Sequence, residues 1–347
     1  MIESLADSIR EAAARHRPLR LRGGGTKDFY GNALRGEVFD TRGYSGIVAY
    51  EPTELVVTAR CGTSLSELEK RLEANSQCLP FEPPHFGPGA TIGGCVAAGL
   101  SGPRRASAGA LRDFVLGVKL IDGRGQALSF GGQVMKNVAG YDVSRLVAGS
   151  LGTLGLIAEV SLKLAPKPQA ERTVRLDASQ ARALELMNRW AGQPLPVSAT
   201  AWHKGELTVR LSGSGAGVRA ATAGIGGAAL DEPFWSGIRE QSHAFFFGPE
   251  PLWRLSVPST SPPLELQGRQ LIEWGGALRW LKSSEDPKTV RAAAKRCNGH
   301  ATLFRAPDKT AGCFSPLEPV LARVHGQLKS AFDPAGIFNP GRMYPEA

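Results

Sequence analysis

The segment that most constrains this chain is residues 19–27, Leu-Arg-Leu-Arg-Gly-Gly-Gly-Thr-Lys. Leu19 and Leu21 alternate with arginines, the period of a short strand. The strand runs straight into Gly23, Gly24 and Gly25. Glycine adopts positive φ without a Cβ penalty, so this run turns sharply and aims successive backbone N–H groups inward. Such a nest holds an anion, and a pyrophosphate best fits a run of this length. Thr26 adds a hydroxyl donor and Lys27 a charge. Taken alone the run serves equally well as an ordinary glycine-rich turn, because short glycine motifs recur by chance. Its company further along the chain decides between the two.

A chain of 347 residues predicts roughly two domains. The formal charge of +9 suits an anionic ligand, an acidic partner or a membrane surface. Arg and Lys are scattered, with no basic block interleaved with aromatics, which disfavours nucleic acid. The cysteines, Cys61, Cys78, Cys95, Cys297 and Cys313, are widely spaced and form no Cys-x-x-Cys. Neither a zinc nor an iron–sulfur ligand set is expected, so no metal site is assigned, and the simple setting is reducing and cytosolic. The N-terminus places Glu3, Asp7 and Glu11 on a weakly amphipathic helix with Ile2, Leu5 and Ile9, and lacks the apolar core of a signal peptide. No apolar run approaches the ~18 residues of a membrane span.

Along the chain, residues 38–40, 46–50 and 54–59 read as strands. Leu65, Leu68 and Leu72 mark a helix opened by Ser64 and Glu67 at capping-box spacing. Residues 80–94 are dense in Pro and Gly, which excludes regular structure until about Gly89. Residues 91–98 then run small and apolar, fit either to line a planar ligand with a thin wall or to pack tightly against another element. His85 in this loop reads as structural. Arg104, Arg105 and Arg112 add charge around the turn residues Gly102, Gly109 and Asp113. Residues 115–122 form a buried strand, turned at 123–125 into 127–130 as a hairpin. Lys136, Asn137, Gly140, Tyr141 and Asp142 precede a short helix over 143–148. Gly149, Gly152 and Gly155 then feed a strong strand over 156–164, stopped at Pro166.

The middle of the chain offers strands at 173–176, 208–211, 252–257 and 277–281 and helices at 179–190 and 218–223, an antiparallel sheet with helices on one side. Gly213, Gly215 and Gly217 imitate a dinucleotide fingerprint between a strand and a helix, with Asp231 downstream. The segment after that helix is too short and glycine-laden for a second strand, so no nicotinamide cofactor is expected. Trp235, Trp253, Trp274 and Trp280 read as core of this region or as a subunit contact.

Together these stretches resemble the FAD-binding domain of the vanillyl-alcohol oxidase, or p-cresol methylhydroxylase-type (PCMH-type), flavoproteins. Arg22-Gly-Gly-Gly-Thr26 is similar to the family's pyrophosphate loop, and Pro88-Gly-Ala-Thr-Ile-Gly-Gly94 to its second flavin segment. Asn137, Gly140-Tyr-Asp142 and residues 149–157 are similar to the third. Residues 332–342, Phe-Asp-Pro-Ala-Gly-Ile-Phe-Asn-Pro-Gly-Arg, resemble the closing segment that returns to the flavin domain. The likeness spans residues 18–168 and 328–344. The wording Gly-Gly-Gly-Thr-Lys-Asp-Phe-Tyr-Gly, Lys-Asn-Val-Ala-Gly-Tyr-Asp and Leu-Trp-Arg-Leu-Ser-Val further resembles the smaller FAD-binding subunits of bacterial glycolate oxidases (glycolate dehydrogenases).

The resemblance implies an α/β (α+β) fold. Residues 1–168 would form an FAD-binding domain of two α/β subdomains, residues 169–327 a smaller antiparallel-sheet cap, and residues 328–347 the return. It implies FAD contacts from Arg22, Gly23, Gly24, Gly25, Thr26, Lys27, Pro88, Gly89, Ala90, Thr91, Ile92, Gly93, Gly94, Ser101, Gly102, Gly109, Asp113, Asn137, Gly152, Gly155, Ile157 and Asn339. Covalent members carry a histidine at or after the glycine loop. Thr26 and Lys27 stand there, so the flavin is expected to be non-covalent. The catalytic sister subunits have Gly-Ser-Glu-Gly-Thr where this chain has Leu151, and a Gly-Glu-His-Gly that this chain lacks. The catalytic base is therefore unassigned, with His300 in Gly299-His300-Ala-Thr the one candidate.

The implied reaction is oxidation of a small 2-hydroxy acid, glycolate first, to the 2-oxo acid, with a flavin taking the hydride and a base the hydroxyl proton. The implied partners are a larger flavin subunit and an iron–sulfur subunit. The implied location is the cytoplasm, at the inner face of the membrane only through that complex. Two other readings stay open: a self-sufficient flavin oxidoreductase of another hydroxy acid or alcohol, and a structural subunit with a vestigial flavin site.

Overall fold

The computed structural model describes residues 1–132, 142–231 and 233–345. The chain divides into two compact units. The first comprises Met1–Leu100, Ala110–Pro166 and Pro316–Ala347, and the second Ser101–Gly109 and Lys167–Ser315. No helix among the described residues is long and apolar enough to cross a membrane.

The first unit opens with the helix Ile2–Ala14, which buries Ala6, Ile9 and Ala12 at three-residue spacing. They pack on Leu19, Tyr44, Cys61, Ile121, Leu156 and Phe338. The strand Leu19–Arg22 pairs in parallel with Glu37–Asp40, and Leu19 also bridges in parallel to Phe338. A five-stranded antiparallel sheet follows, in the order Ile47–Glu51, Val56–Arg60, Leu156–Lys163, Val115–Ile121, Ala127–Gly131. Its central strands are buried along most of their length, which is why they read as nearly continuous apolar runs. The helix Leu65–Glu73 covers this sheet with Leu65, Leu68 and Leu72, all fully buried. Each such leucine contributes roughly 1.5–3 kcal/mol by leaving water. Ser64 caps the helix by accepting the Glu67 N–H at 3.4 Å.

Residues 91–98, small and apolar in sequence, take a regular form. They form the helix Ile92–Ala98, capped by Thr91 and ended by Gly99 at φ 64°. Gly93 and Gly94 hid it, since glycine costs about 1 kcal/mol in a helix interior relative to alanine. The structure gives the reason for accepting that cost. A Cβ at Gly93 would sit 2.6 Å from the Cys61 Cβ.

The C-terminal segment belongs to this first unit. The helix Pro319–Phe332 ends at Asp333, whose buried carboxylate accepts the N–H groups of Ile337 and Phe338 and the Lys329 ammonium at 2.6 Å. Lys329 also donates to the carbonyls of Thr153 and Phe338. This clamp presents Ile337 to β-type pairing with Leu19, whose N–H it accepts at 2.7 Å.

The second unit is built on an eight-stranded sheet in the order Ala228–Ala229, Ala170–Asp177, Glu206–Gly213, Val197–His203, Arg269–Glu273, Leu278–Lys282, Leu252–Ser256, His300–Arg305. Every pairing within it is antiparallel. The helices Gln180–Ala191, Gly215–Ile225 and Pro287–Arg296 pack on one face. Trp190, Trp235, Trp253, Trp274 and Trp280 are all buried inside this unit. Their place is in its core, so none is an exposed anchor for a partner. The glycine-rich Gly213–Gly217 stretch is a helix cap, in which Ser214 accepts the Gly217 N–H at 3.2 Å. The strand after that helix is two residues long and pairs antiparallel with Ala170–Asp177, unlike the parallel sheet a dinucleotide fingerprint belongs to.

Candidate functional site

The glycine loop of the first unit is held between two neighbours. A Cβ at Gly24 would fall 1.5 Å from the Gly89 carbonyl oxygen, and one at Gly23 would fall 2.2 Å from Thr91 Oγ1. Gly25 takes φ 72°. These glycines therefore let two loops touch, as well as letting the backbone turn. The amide N–H groups of Gly23, Gly24, Gly25 and Thr26 donate to no protein acceptor among the described residues. Four successive unpartnered donors on a turned backbone form an anion-binding concavity. Lys27 reaches across to the His85 carbonyl at 3.2 Å and stands over the Phe86 ring. It thus ties the loop to the second segment while its charge borders the concavity.

Two adjoining clefts of ≈ 380 and ≈ 560 Å³ open on this loop. Their lining brings together Arg22, Gly23, Gly24, Gly25, Thr26, Lys27, Thr91, Gly93, Gly94, Gly152, Gly155, Ile157 and Asn339. Asn339 is buried at φ 42° and accepts the Leu21 N–H at 2.9 Å while donating to the Leu151 carbonyl at 2.6 Å. It locks the return segment to the glycine-loop strand and to the 149–155 turn. Gly152, at φ 71°, leaves room for it, since a Cβ there would lie 2.7 Å from Asn339 Nδ2.

Other expected residues lie elsewhere. Gly89 packs against Gly24, while Ala90 and Ile92 are core residues and Pro88 is exposed beside them. Asp113 accepts the Ala110 N–H at 2.9 Å and closes a turn. Ser101, Gly102 and Gly109 belong to the second unit, as do Arg104, paired with Glu171 at 3.0 Å, and Arg105. His85 bonds Glu69 at 2.9 Å, a structural pairing. Asn137 lies outside the described residues, together with Lys136, Gly140 and Tyr141. His300 is exposed at the start of its strand. Its imidazole is held below the ordinary histidine value by partial burial and by the charge of Arg254.

The structure adds residues that motif reading passed over. Arg342 is buried and donates to the carbonyls of Asn32 and Asp28, the latter at 2.9 Å, so the last motif residue braces the turn after the glycine loop. In the larger cleft Arg22, Lys27 and Arg342 face one carboxylate, Asp28, which Arg22 binds at 3.0 Å. The cleft is positive on balance. Cys61 lines the smaller cleft, and burial pushes its thiol up to about 11. It therefore keeps its proton at neutral pH and is a poor nucleophile. No motif points to Cys61; only packing brings it to the cleft, beside Leu151 of the 149–157 motif.

The comparisons with known proteins agree with this geometry. A family profile described as an FAD binding domain matches residues 1–131. The chain is 47% identical over 344 residues to the glycolate oxidase subunit GlcE of Escherichia coli (strain K12), covering 99% of this chain and 97% of that protein. It is 33% identical over 128 residues to the glycolate oxidase subunit GlcD of Bacillus subtilis (strain 168), covering 37% of this chain and 27% of that one. Among solved structures, alkyldihydroxyacetonephosphate synthase superposes with a TM-score of 0.68 at 15% identity, over 96% of this chain and 74% of that one, a likeness of fold alone. The cofactor is FAD. The four unpartnered amides, the positive lining and the glycine contacts that a side chain would fill all fit a pyrophosphate-bearing group.

Proposed function

The chain belongs to the family of the glycolate oxidase subunit GlcE, and from that premise we propose that it serves a complex that oxidises glycolate, a small 2-hydroxy acid, to glyoxylate and passes the electrons to an iron–sulfur subunit. It is an oxidoreductase subunit that carries FAD. The observation that carries the reading is the row of N–H groups at Gly23–Thr26 that meet no acceptor among the described residues, beside a positive cleft and just after Leu21, which Asn339 holds. Bound FAD supplies a two-electron acceptor for the hydride of the substrate's α-carbon. The chain's own part is to grip the pyrophosphate with the glycine-loop amides and to exclude water with Ala97, Leu151 and Ile157.

The flavin is held without a covalent bond. Thr26 and Lys27 offer no tether, no histidine lines either cleft among the described residues, and burial keeps the Cys61 thiol protonated. The partners are a larger flavin subunit and the iron–sulfur subunit. The five scattered cysteines give this chain no cluster ligand set of its own, so electrons leave through another chain. The protein works in the cytoplasm and meets the membrane only through the complex. Absorption spectra before and after acid precipitation test the flavin reading. Yellow colour released into the supernatant is expected. A colourless protein that takes up no added FAD would overturn it.

A further inference from the structure

We propose that the first half of the helix Pro319–Phe332 is a docking ridge for a partner protein whose face is an apolar groove rimmed by carboxylates. That this partner is the iron–sulfur subunit rests on the function proposed above; the ridge itself rests on the following geometry.

At 3.6 residues per turn, Val320, Leu321, Val324, Leu328 and Phe332 fall within one arc of about 120°. A single apolar stripe therefore runs the length of the helix, and its two ends meet different surroundings. At the C-terminal end Phe332 packs on the core of the first unit, edge-on to Phe130 with 6.4 Å between ring centroids, and Leu328 is half-buried. At the N-terminal end Val320, Leu321 and Val324 are 62, 52 and 42% exposed, and no residue of the helix is fully buried. The other long helices of this unit cover their stripes: Ile2–Ala14 buries Ala6, Ile9 and Ala12, and Leu65–Glu73 buries Leu65, Leu68 and Leu72. A single exposed aliphatic residue needs no explanation. Three on one helix face, continuing a stripe that is packed further along, make a patch that marks an interaction site. Val320 to Val324, Leu321 to Val324 and Leu321 to Leu328 are the four-, three- and seven-residue steps by which a helix seats in a groove.

The charges around the ridge select the occupant. From residue 319 to residue 332 the helix carries Arg323, His325 and Lys329 and no carboxylate. Lys329 is already met by Asp333. Arg323, exposed at the edge of the arc one turn along from Val320, pairs with no carboxylate among the described residues. Two-fold packing of a second copy on this stripe would set one Arg323 against the other. A groove with carboxylates on its rim matches both the apolar anchors and the unmet cation.

The ridge is also tied to the clefts described above. Lys329 donates to the carbonyls of Thr153 at 3.0 Å and Phe338 at 2.8 Å. Gly152 and Asn339, the neighbours of those two residues, line the clefts. Val324 precedes Lys329 by five residues, about 7.5 Å of helix. A partner seated on the ridge thus stands beside the cleft wall, where an acceptor of electrons from FAD has to be.

The test is binding of the full-length, FAD-loaded chain to the immobilised iron–sulfur subunit and, separately, to the immobilised larger flavin subunit. Val324→Glu puts a carboxylate in the middle of the ridge. As a surface change it is expected to keep the fold and the FAD content, and to weaken binding to the iron–sulfur subunit about tenfold or more. Arg323→Gln is expected to weaken it less and to flatten its salt dependence. Gly326→Glu adds the same charge on the opposite side of the helix, where a Cβ meets open space, and is expected to bind as wild type. The ridge is overturned if wild type binds neither subunit, if Val324→Glu binds the iron–sulfur subunit like wild type, or if Gly326→Glu weakens binding as much. It is overturned equally if Val324→Glu weakens binding to the larger flavin subunit alone, if it splits a dimer of the isolated chain, or if it abolishes sedimentation of the isolated chain with phosphatidylglycerol vesicles. A wild-type complex that holds the iron–sulfur subunit through the ridge yet fails to oxidise glycolate would count against the function alone. A complex that oxidises glycolate and binds Val324→Glu as tightly as wild type would count against the ridge alone.

Discussion

The side-chain carbonyl of Asn339 accepts the amide N–H of Leu21 at 2.9 Å, joining residues 318 positions apart. The same side chain donates to the Leu151 carbonyl, so one amide group holds three segments that the chain keeps far apart. Asn339→Ala leaves a buried donor and a buried acceptor unmet. At roughly 1–3 kcal/mol for each, the variant is expected to lose about 2–6 kcal/mol of stability and most of its bound FAD. Denaturant unfolding and the flavin-to-protein absorbance ratio check this.

Two glycine substitutions should behave in opposite ways. Gly24→Ala drives a methyl group into the Gly89 carbonyl, 1.5 Å away, so flavin occupancy is expected to collapse. At Gly224, inside the helix Gly215–Ile225, an added Cβ meets open space. Gly224→Ala is expected to raise stability by about 0.5–1 kcal/mol through helix propensity and to leave FAD binding unchanged. Equal flavin content in the two variants would refute the loop assignment.

These positions show how far the sequence could be read. The alternation at Leu19 and Leu21 and the three glycines foretold a strand entering a tight loop, and Ser64 with Leu65, Leu68 and Leu72 foretold a capped helix. Both signals are local. The helix Ile92–Ala98 escaped because its two glycines run against helix propensity, Gly93 where a Cβ would strike Cys61 and Gly94 where one would crowd Thr91 Oγ1. The strands Val197–His203 and Arg269–Glu273 escaped because a sheet partner decides them more than composition does. Arg342 and Leu151 lie inside the quoted motifs, but the pairings that bring them to the cleft join residues far apart in the chain, and the motifs do not show them.

Glu159 accepts the Tyr44 hydroxyl at 2.6 Å and the Lys119 ammonium at 3.0 Å. Burial raises its carboxyl, but those two bonds outweigh burial and hold it below the ordinary carboxylate value. Burial and Glu159 in turn push Tyr44 up to about 12. A depressed carboxylate stabilises the fold above its unfolded pKa of about 4.3 and loses that contribution as pH falls through the lower folded value. Glu159→Gln is therefore expected to cost about 1–2 kcal/mol at pH 7, with the gap to wild type closing towards pH 3. A gap that widens on acidification would contradict the sign.

Asp333 is a buried carboxylate whose charge is met by Lys329 and by two backbone amides. Asp333→Ala strands the ammonium and frees the return segment. A loss of about 3–5 kcal/mol is expected, with limited proteolysis cutting within residues 333–345 before any other site. Wild-type protease resistance there would remove the clamp from the account.

The most direct test of the central claim is glycolate-dependent reduction of an artificial acceptor dye. It is measured on this chain alone and on the chain co-expressed with the larger flavin subunit and the iron–sulfur subunit. Neither cleft is lined by a histidine among the described residues, and a positioned base is worth roughly 10²–10⁴ in rate. The account predicts that the isolated, FAD-loaded chain reduces little or no dye and that activity emerges with the three together. Turnover by the isolated chain at the rate of the assembly would contradict it, and His300→Ala would then be the variant to make.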